Sequence, residues 1–385
     1  MNIFSYNIIL SFFYPIILFI GVFRLCLKKE NHLSFQQKFF ASHNYIKFQK
    51  TNTIIHFASI GELNSIKFLV EKLNNEEILL TCSTLSSYNL SKEKYPHINI
   101  IFLPIDFQWN IKKFISNINI KKILWIDSEI WPNWLSCSKK ANIKNILVNG
   151  RLSERSYTNW IKIKSFSRFL GEKYDLIFAK SLEDKKKLYE VFKSKVYYFG
   201  NLKFYINVNI PKYKKNHLCF ASIHKAEFEI IIEIISKLNL SLFESIKIIP
   251  RHIQFSNDLK MMLREDLKNK IEIHEKFGES QTIFDKSKIV FMGGSLIHHG
   301  GQNPLEPLAR GCYIVSGEHN GNFKDQYLDL ERLNLATIVG NDTSQISSKI
   351  NDLINLNFNN SNLIVNYFKD NKKDLNKMME MIQKC

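Results

Sequence analysis

From residue 53 onward, short apolar runs rich in Ile, Leu, Val and Phe recur at 53–58, 78–82, 99–103, 123–127, 145–149, 176–179 and 196–199. Longer amphipathic stretches such as 62–73 and 183–192 separate them. Runs this short, apolar without alternation, suit strands covered on both faces, and the stretches between them have the period of crossover helices. Parallel neighbours need such crossovers, so the rhythm predicts parallel sheets. A polar segment at 207–216, with Pro211 and three lysines, interrupts the series as an interdomain linker. Strands resume at 218–221, 246–250, 271–274, 289–292, 313–316 and 337–339. The chain therefore reads as α/β, two Rossmann-like doubly wound domains in tandem, and 385 residues suffice for two cores. A last polar stretch rich in Asn, 355–362, reads as a solvated loop.

The first residues are of another kind. Residues 2–27 are mostly apolar, carry no acid and are followed by Lys28 and Lys29. This run suits membrane anchoring, either as a spanning helix or as one lying in the interface; a buried core helix is the alternative. No basic residue precedes it and no small-residue cleavage site comes after it, which argues against a cleaved signal peptide. Arg24, Lys28 and Lys29 would keep the rest of the chain on the cytoplasmic side. The expected organisation is an anchor over 1–29, a first domain over 30–206 and a second over 207–385. The net charge of +17 suits an anionic partner, but Lys, Ile and Asn are used heavily throughout, as an AT-rich genome imposes, so only part of the excess carries weight. Six widely spaced cysteines include no pair or Cys/His cluster at zinc-ligand spacing, and the plain reading is a reduced compartment with no metal and no cofactor.

Ligands of open parallel sheets bind beyond the carboxyl ends of strands, so residues just after each run are the candidates. The densest group lies at 291–311, where Gly293 and Gly294 end a strand, Gly300 and Gly301 come next, and Asn303-Pro304-Leu305-Glu306 opens a helix. Glycines admit close approach and a helix start points N–H groups at an anion, which suits a nucleotide phosphate. Glu306 stands three residues after a good N-cap, so it either binds ligand, as at ribose hydroxyls, or closes a capping box. Ser59 and Glu62 pose the same choice after the first strand: a carboxylate that accepts the proton of an acceptor hydroxyl, or a cap. The helix start there should also make Glu62 a weaker base. Alternation would put Asp127 and Glu129 on one face at another strand end. Arg151, Arg155, Lys203, Arg251 and His252 supply basic groups at strand ends, and Ser222 to His224 and Glu318 to Phe323 occupy equivalent places.

The series SIGE, SEIWPN, NGRLSERS, GNLKF, PRH, GGSL with GGQNPLEP, and HNGNF, in this order, resembles the bacterial 3-deoxy-D-manno-octulosonic acid (Kdo) transferases of lipopolysaccharide assembly. The resemblance runs from the N-terminal run to about Phe323. It implies a GT-B fold, an acceptor-binding first domain and a donor-binding second one. It also implies metal-independent transfer of Kdo from CMP-Kdo to the lipid A precursor, lipid IVA, at the cytoplasmic face of the inner membrane. Carried onto this chain, it implies Glu62 as base, with Glu129 and Lys203 assisting the transition state. Arg251, His252, Gly294, Ser295, Asn303, Pro304, Leu305 and Glu306 would contact CMP. Asp127, Arg151, Arg155, His319 and Asn322 are further candidates. Two departures stand out: Asp127-Ser128-Glu129 where the family commonly has Glu-Thr-Glu, and Asn149-Gly150-Arg151 for Asn-Ala-Arg. Competing readings are another GT-B transferase, a sugar-nucleotide epimerase, or a membrane-attached basic RNA-binding protein. The last would need aromatic stacking platforms among its basic residues, and the motifs hold none, so no nucleic-acid partner is expected.

Overall fold

The computed structural model describes residues 2–48, 50–74, 77–212, 217–264, 267, 269–276, 280–356 and 360–385. Part of the expected linker, 213–216, and part of the expected C-terminal loop, 357–359, lie outside the described residues. The chain forms two compact units, Met1–Tyr205 with Asn371–Cys385, and Ile206–Asp370. The final helix, Ser361–Lys384, thus ends in the first unit rather than the second, where sequence alone had put all of 207–385. Lys122 Nζ reaches the Ile382 carbonyl at 2.8 Å, and Lys372 Nζ lies 5.5 Å from the Tyr205 ring centroid.

In the first unit a seven-stranded sheet has the order β3-β2-β1-β4-β5-β6-β7. Its strands are β1 Thr53–Phe57, β2 Ile78–Cys82, β3 Asn99–Phe102, β4 Lys122–Ile126, β5 Lys144–Gly150, β6 Leu176–Ala179 and β7 Tyr197–Tyr198. All neighbours pair in parallel. Every residue of β1 and β2 is buried, which is why these runs show no alternation. The second unit carries a six-stranded parallel sheet in the order β10-β9-β8-β11-β12-β13. These are β8 His217–Ile223, β9 Ile246–Pro250, β10 Ile271–Ile273, β11 Ser287–Met292, β12 Tyr313–Gly317 and β13 Ala336–Val339. Each unit has its own core, around Trp125, Trp134 and Phe166 in one and Phe220, Ile231 and Phe291 in the other. The expected helix 62–73 is broken into Ile60–Ser65 and Lys67–Lys72.

The N-terminal run forms two helices, α1 Ile3–Phe12 and α2 Tyr14–Cys26, which meet at a 54° bend. Pro15 in the first turn of α2 has no N–H to donate back into α1, which explains the break. Among the described residues no single helix is long and apolar enough to cross a membrane, though the bent pair together meets that length and composition. One face is docked. Tyr6 donates to Asp106 Oδ2 (2.9 Å), Asn133 Nδ2 donates to Asn7 Oδ1 (2.8 Å), and Gly21 packs on Phe39 so closely that a Cβ would lie 2.4 Å from its ring. The other face exposes Phe4, Phe12, Phe19 and Phe23.

Candidate active site at the two switch points

Strand order reverses between β1 and β4 in the first sheet and between β8 and β11 in the second. At such a point the loops leaving neighbouring strands part, and a crevice opens at their carboxyl ends.

In the first unit the loop after β1 carries Glu62 into that crevice. Ser59 caps the helix Ile60–Ser65, accepting from Glu62 N–H at 3.4 Å, while Glu62 Oε2 accepts from Ala58 N–H at 2.6 Å and Oε1 from the Ser59 hydroxyl at 3.2 Å. The capping arrangement is therefore present. It does not consume the carboxylate, which stays half-exposed. The helix start was expected to weaken Glu62 as a base; the opposite holds. Burial raises its pKa above the ordinary glutamate value, the charges of Asp127 and Glu129 add to the rise, and the bonds from Ala58 and Ser59 only partly offset it. A helix of 6 residues has little dipole to set against them.

Asp127 and Glu129 were expected to share a face of β4. They do not, because β4 ends at Ile126 and Asp127 is in a left-handed conformation, φ 60°, at the start of a turn. The two acids consequently take different partners. Asp127 Oδ1 accepts from Asn149 Nδ2 at 2.5 Å, and Oδ2 lies 3.4 Å from Arg151 Nε. Asn149, itself left-handed at φ 58°, accepts Leu202 N–H at 3.3 Å and so brings the turn bearing Lys203 to the same end of the sheet. Glu129 turns toward β1: Oε2 accepts from Trp131 Nε1 at 2.7 Å and lies 3.3 Å from His56 Nε2. Burial opposes its ionisation, but the contacts with His56 and Trp131 outweigh burial and hold its pKa below the ordinary value. Arg155 stands apart, exposed on the helix Glu154–Lys162, with no contact among the described residues to the other candidates.

Sequence reasoning missed two groups here. His56, fully buried in β1, was hidden as one polar letter in an apolar run. Lys180 directly follows β6, and the strand-end rule could have found it. Burial lowers its pKa, and it faces Asp127, Arg151 and Asp184.

In the second unit, Gly293 directly follows β11, and a Cβ there would lie 2.5 Å from the Ser222 carbonyl, so only glycine fits. The loop beyond was expected to offer its N–H groups to a phosphate. Instead Glu227, fully buried, takes them. Its Oε2 accepts from Gly294 (2.7 Å) and His224 (3.0 Å), and its Oε1 from Ser295 (3.1 Å) and Leu296 (3.2 Å). The Ser295 hydroxyl is also committed, donating to the Met292 carbonyl (2.6 Å) and accepting from Gly317 N–H (2.8 Å). Gly294 and Ser295 therefore shape the loop, with their N–H groups and the Ser295 hydroxyl bonded within the protein. Sequence reasoning missed Glu227 because it looks like any helix-start acid.

The helix opened by Asn303 is only Leu305–Leu308, 4 residues, too short for a useful dipole at its start. Asn303 Oδ1 accepts from Leu305 N–H at 3.2 Å, while exposed Glu306 bonds the Asn303 side-chain amide at 3.3 Å, so Glu306 closes no capping box. Pro304 and Leu305 are buried beneath it. The segment 318–323 clips this loop: His319 N–H donates to the Ser295 carbonyl (3.0 Å), Asn322 N–H to the Gly300 carbonyl (2.9 Å), and a Cβ on Gly301 would lie 2.8 Å from Asn320 Cα. Imidazoles line it. His298 and His319 have ring centroids 3.9 Å apart, as do His224 and His299. Burial, with the charges of His299, Arg251 and His252, pushes the His224 pKa down to about 4, so near neutrality it is an uncharged hydrogen-bonding group. Exposed Arg251 and His252 follow β9, with Arg251 N–H donating to the Ile223 carbonyl at 2.8 Å. Arg251 brings a guanidinium to this strand end, with the His252 imidazole beside it. Among the described residues no three His, Cys, Asp or Glu side chains are disposed to hold a metal ion.

Two parallel α/β units of this kind resemble GT-B glycosyltransferases. The crystal structure of a glycosyltransferase from Rickettsia africae matches 87% of this chain and 98% of its own, with TM-score 0.62 and 15% identity, a likeness of fold. Residues 33–206 match the family profile described as 3-deoxy-D-manno-octulosonic-acid transferase (kdotransferase). A 3-deoxy-D-manno-octulosonic acid transferase of Haemophilus influenzae is 27% identical, over 78% of this chain and 78% of its own length. A bifunctional glycosyltransferase/methyltransferase of Fusobacterium nucleatum is 28% identical over 83% of this chain, which spans 58% of that longer protein. The chain is an enzyme, a glycosyltransferase, and it belongs to the Kdo transferase family.

Proposed function

We propose that this enzyme transfers Kdo from CMP-Kdo to a lipid A precursor, lipid IVA, with inversion at the anomeric carbon. Glu62 takes the proton of an acceptor hydroxyl as that oxygen bonds to the anomeric carbon, and the bond to the CMP phosphate breaks with CMP leaving as the anion. The observation that carries this reading is Glu62 itself: a capped, half-exposed carboxylate whose pKa is raised by burial and two neighbouring acids, in the unit that matches the family. A base is most effective when its pKa lies near the working pH. Glu129, held ionised, stabilises positive charge developing on the sugar, and Lys203 assists at the same strand ends. On the donor side Arg251 and His252 receive the phosphate, since the loop amides are committed to Glu227. The test is incubation of the purified protein with CMP-Kdo and lipid IVA and mass analysis of the glycolipid. A Kdo adduct is expected; its absence in protein that binds CMP, or competition by UDP in place of CMP, would sink the assignment.

The acceptor is a phosphoglycolipid, and the N-terminal helices fit delivery to it. At 10 and 13 residues, α1 and α2 reach only about 15 and 20 Å along their axes, against ~30 Å of hydrocarbon. One face is docked on the first unit and Phe4, Phe12, Phe19 and Phe23 are exposed on the other. The reading is a pair lying in the interface of the inner membrane, at its cytoplasmic face, beside an anionic surface that favours a chain of charge +17. Phe12→Asp with Phe19→Asp should release the protein from anionic vesicles in a flotation assay while leaving CMP binding intact.

A further inference from the structure

A histidine in the middle of β1 is out of place on packing grounds. Its strand neighbours Ile54, Ile55 and Phe57 are fully buried, and so is His56. An apolar residue would fill that position without desolvating two ring nitrogens. One nitrogen is accounted for: Nδ1 lies 2.9 Å from Thr81 Oγ1 on β2. The ring is held edge-on to Trp125 and Trp131, with centroids 5.5 and 6.2 Å away. The other nitrogen, Nε2, lies 3.3 Å from Glu129 Oε2, a charge contact outside hydrogen-bond geometry. On Glu129 the same oxygen, Oε2, accepts the Trp131 indole N–H at 2.7 Å, and Oε1 has no hydrogen-bond partner among the described residues.

We infer that His56 is a positioning residue for transfer: with the Thr81 hydroxyl donating to Nδ1, Nε2 carries the proton and, with the Trp131 indole, pins one oxygen of Glu129. The other oxygen is thereby presented to the reacting sugar. The inference rests on the reading that Glu129 acts in Kdo transfer. An indole hydrogen bond and an imidazole N–H 3.3 Å away on the same oxygen restrict carboxylate rotation, which is what a group stabilising a short-lived charge requires. The depressed Glu129 pKa agrees with this, since burial alone would have raised it. Holding the ring by a hydroxyl on β2 rather than by a loop ties the carboxylate to the centre of the sheet.

A packing role and a positioning role predict opposite orders for two substitutions. His56→Phe keeps an aromatic ring against both tryptophans but loses the N–H. His56→Gln loses the ring but can place an amide N–H where Nε2 stands. Positioning predicts that His56→Phe lowers kcat by roughly 100-fold. The KM for CMP-Kdo and the affinity for CMP should stay close to wild type, and His56→Gln should recover most of the loss. A His56→Phe enzyme as active as wild type, or a His56→Gln enzyme no better than His56→Phe, overturns the inference. If His56→Phe does not fold, Thr81→Val decides: it keeps the imidazole, frees Nδ1, and should lower kcat several-fold, whereas wild-type turnover overturns the inference. An activity-independent reading separates this from failure of the function itself. In protein labelled with 15N-histidine, the His56 ring should show Nε2 protonated and Nδ1 accepting, and the Nε2 resonance should move on Glu129→Gln. A ring protonated at Nδ1, or indifferent to Glu129, overturns the inference even if wild-type protein transfers no Kdo.

Discussion

The two switch points are built to the same plan and put it to different uses. Each sheet sends its first strand into a turn that bears a glutamate, Glu62 after β1 and Glu227 after β8, and each glutamate accepts a backbone N–H at the start of its turn, from Ala58 and His224. What faces the glutamate differs. In the first unit the neighbouring loop, after β4, supplies the further acids Asp127 and Glu129, and Glu62 stays half-exposed with a raised pKa. In the second unit the loop after β11 supplies N–H groups, three of which bond Glu227, and that carboxylate is sealed from solvent. One position in the fold thus yields a group able to take a proton or a fixed anion that shapes a loop. The neighbouring strand end decides which.

Exchanging each glutamate for its amide tests that contrast most directly. Glu62→Gln keeps the size and the capping geometry and should lower kcat by about 1,000-fold, within the range for loss of a general base, with CMP affinity and unfolding free energy nearly unchanged. Glu227→Gln should do the reverse in kind. Its amide would point N–H at N–H, leaving buried donors unpaired at a cost of about 2–3 kcal/mol in stability. CMP affinity should also fall by about 10-fold as the loop loosens. Denaturant titration, CMP calorimetry and steady-state rates on both variants settle it. If Glu227→Gln left stability and CMP binding intact while abolishing turnover, the two glutamates would be alike and the contrast would fail.

A smaller effect sharpens the account of Glu62. Its pKa is raised first by burial and then by Asp127 and Glu129. As the proposed base Glu62 must be ionised to act, so a raised pKa moves the acid limb of kcat/KM above the ordinary glutamate range. Asp127→Asn removes one of the negative charges and releases Arg151, and both changes favour ionised Glu62. The acid limb should therefore move to lower pH, with the limb still set mainly by burial. A limb that stays put or rises would mean that another group controls it.

How far these features were legible in the sequence depended on the range of the interaction. Both sheets could be read because buried parallel strands must be short and apolar, and the runs beginning at Thr53, Ile78, Ile246 and Tyr313 had nothing else to be. The strand-end rule put Glu62, Glu129, Lys203 and Arg251 at the correct ends of the sheets. What failed was whatever depended on a partner distant in sequence. Glu227 lies 67 residues from Gly294, so its claim on that amide left no local trace. Asp127 and Glu129 separated because a left-handed turn ended the strand one residue earlier than alternation assumed. The C-terminal helix was placed in the second domain by its position in the chain, whereas Asn371–Cys385 belongs to the first unit, a long-range packing choice that its local pattern does not encode.

Glu306 is the place where the second switch point could still resemble the first, with a glutamate that meets the ligand. Glu306 is exposed and, among the described residues, holds only the Asn303 side-chain amide, at 3.3 Å, bracing no backbone there as Glu227 does. A carboxylate in that position can accept hydrogen bonds from a ribose diol, and the discriminating ligands are CMP and its 2′-deoxy analogue. Glu306→Gln should weaken CMP binding by about 5–10-fold, the loss of a hydrogen bond to a charged group, with stability unchanged. The preference for CMP over the deoxy analogue should shrink at the same time. An equal loss for both nucleotides would mean that Glu306 acts through Asn303 on the shape of the loop. It would then belong with Glu227 as a structural acid, and the second switch point would hold no carboxylate that touches ligand.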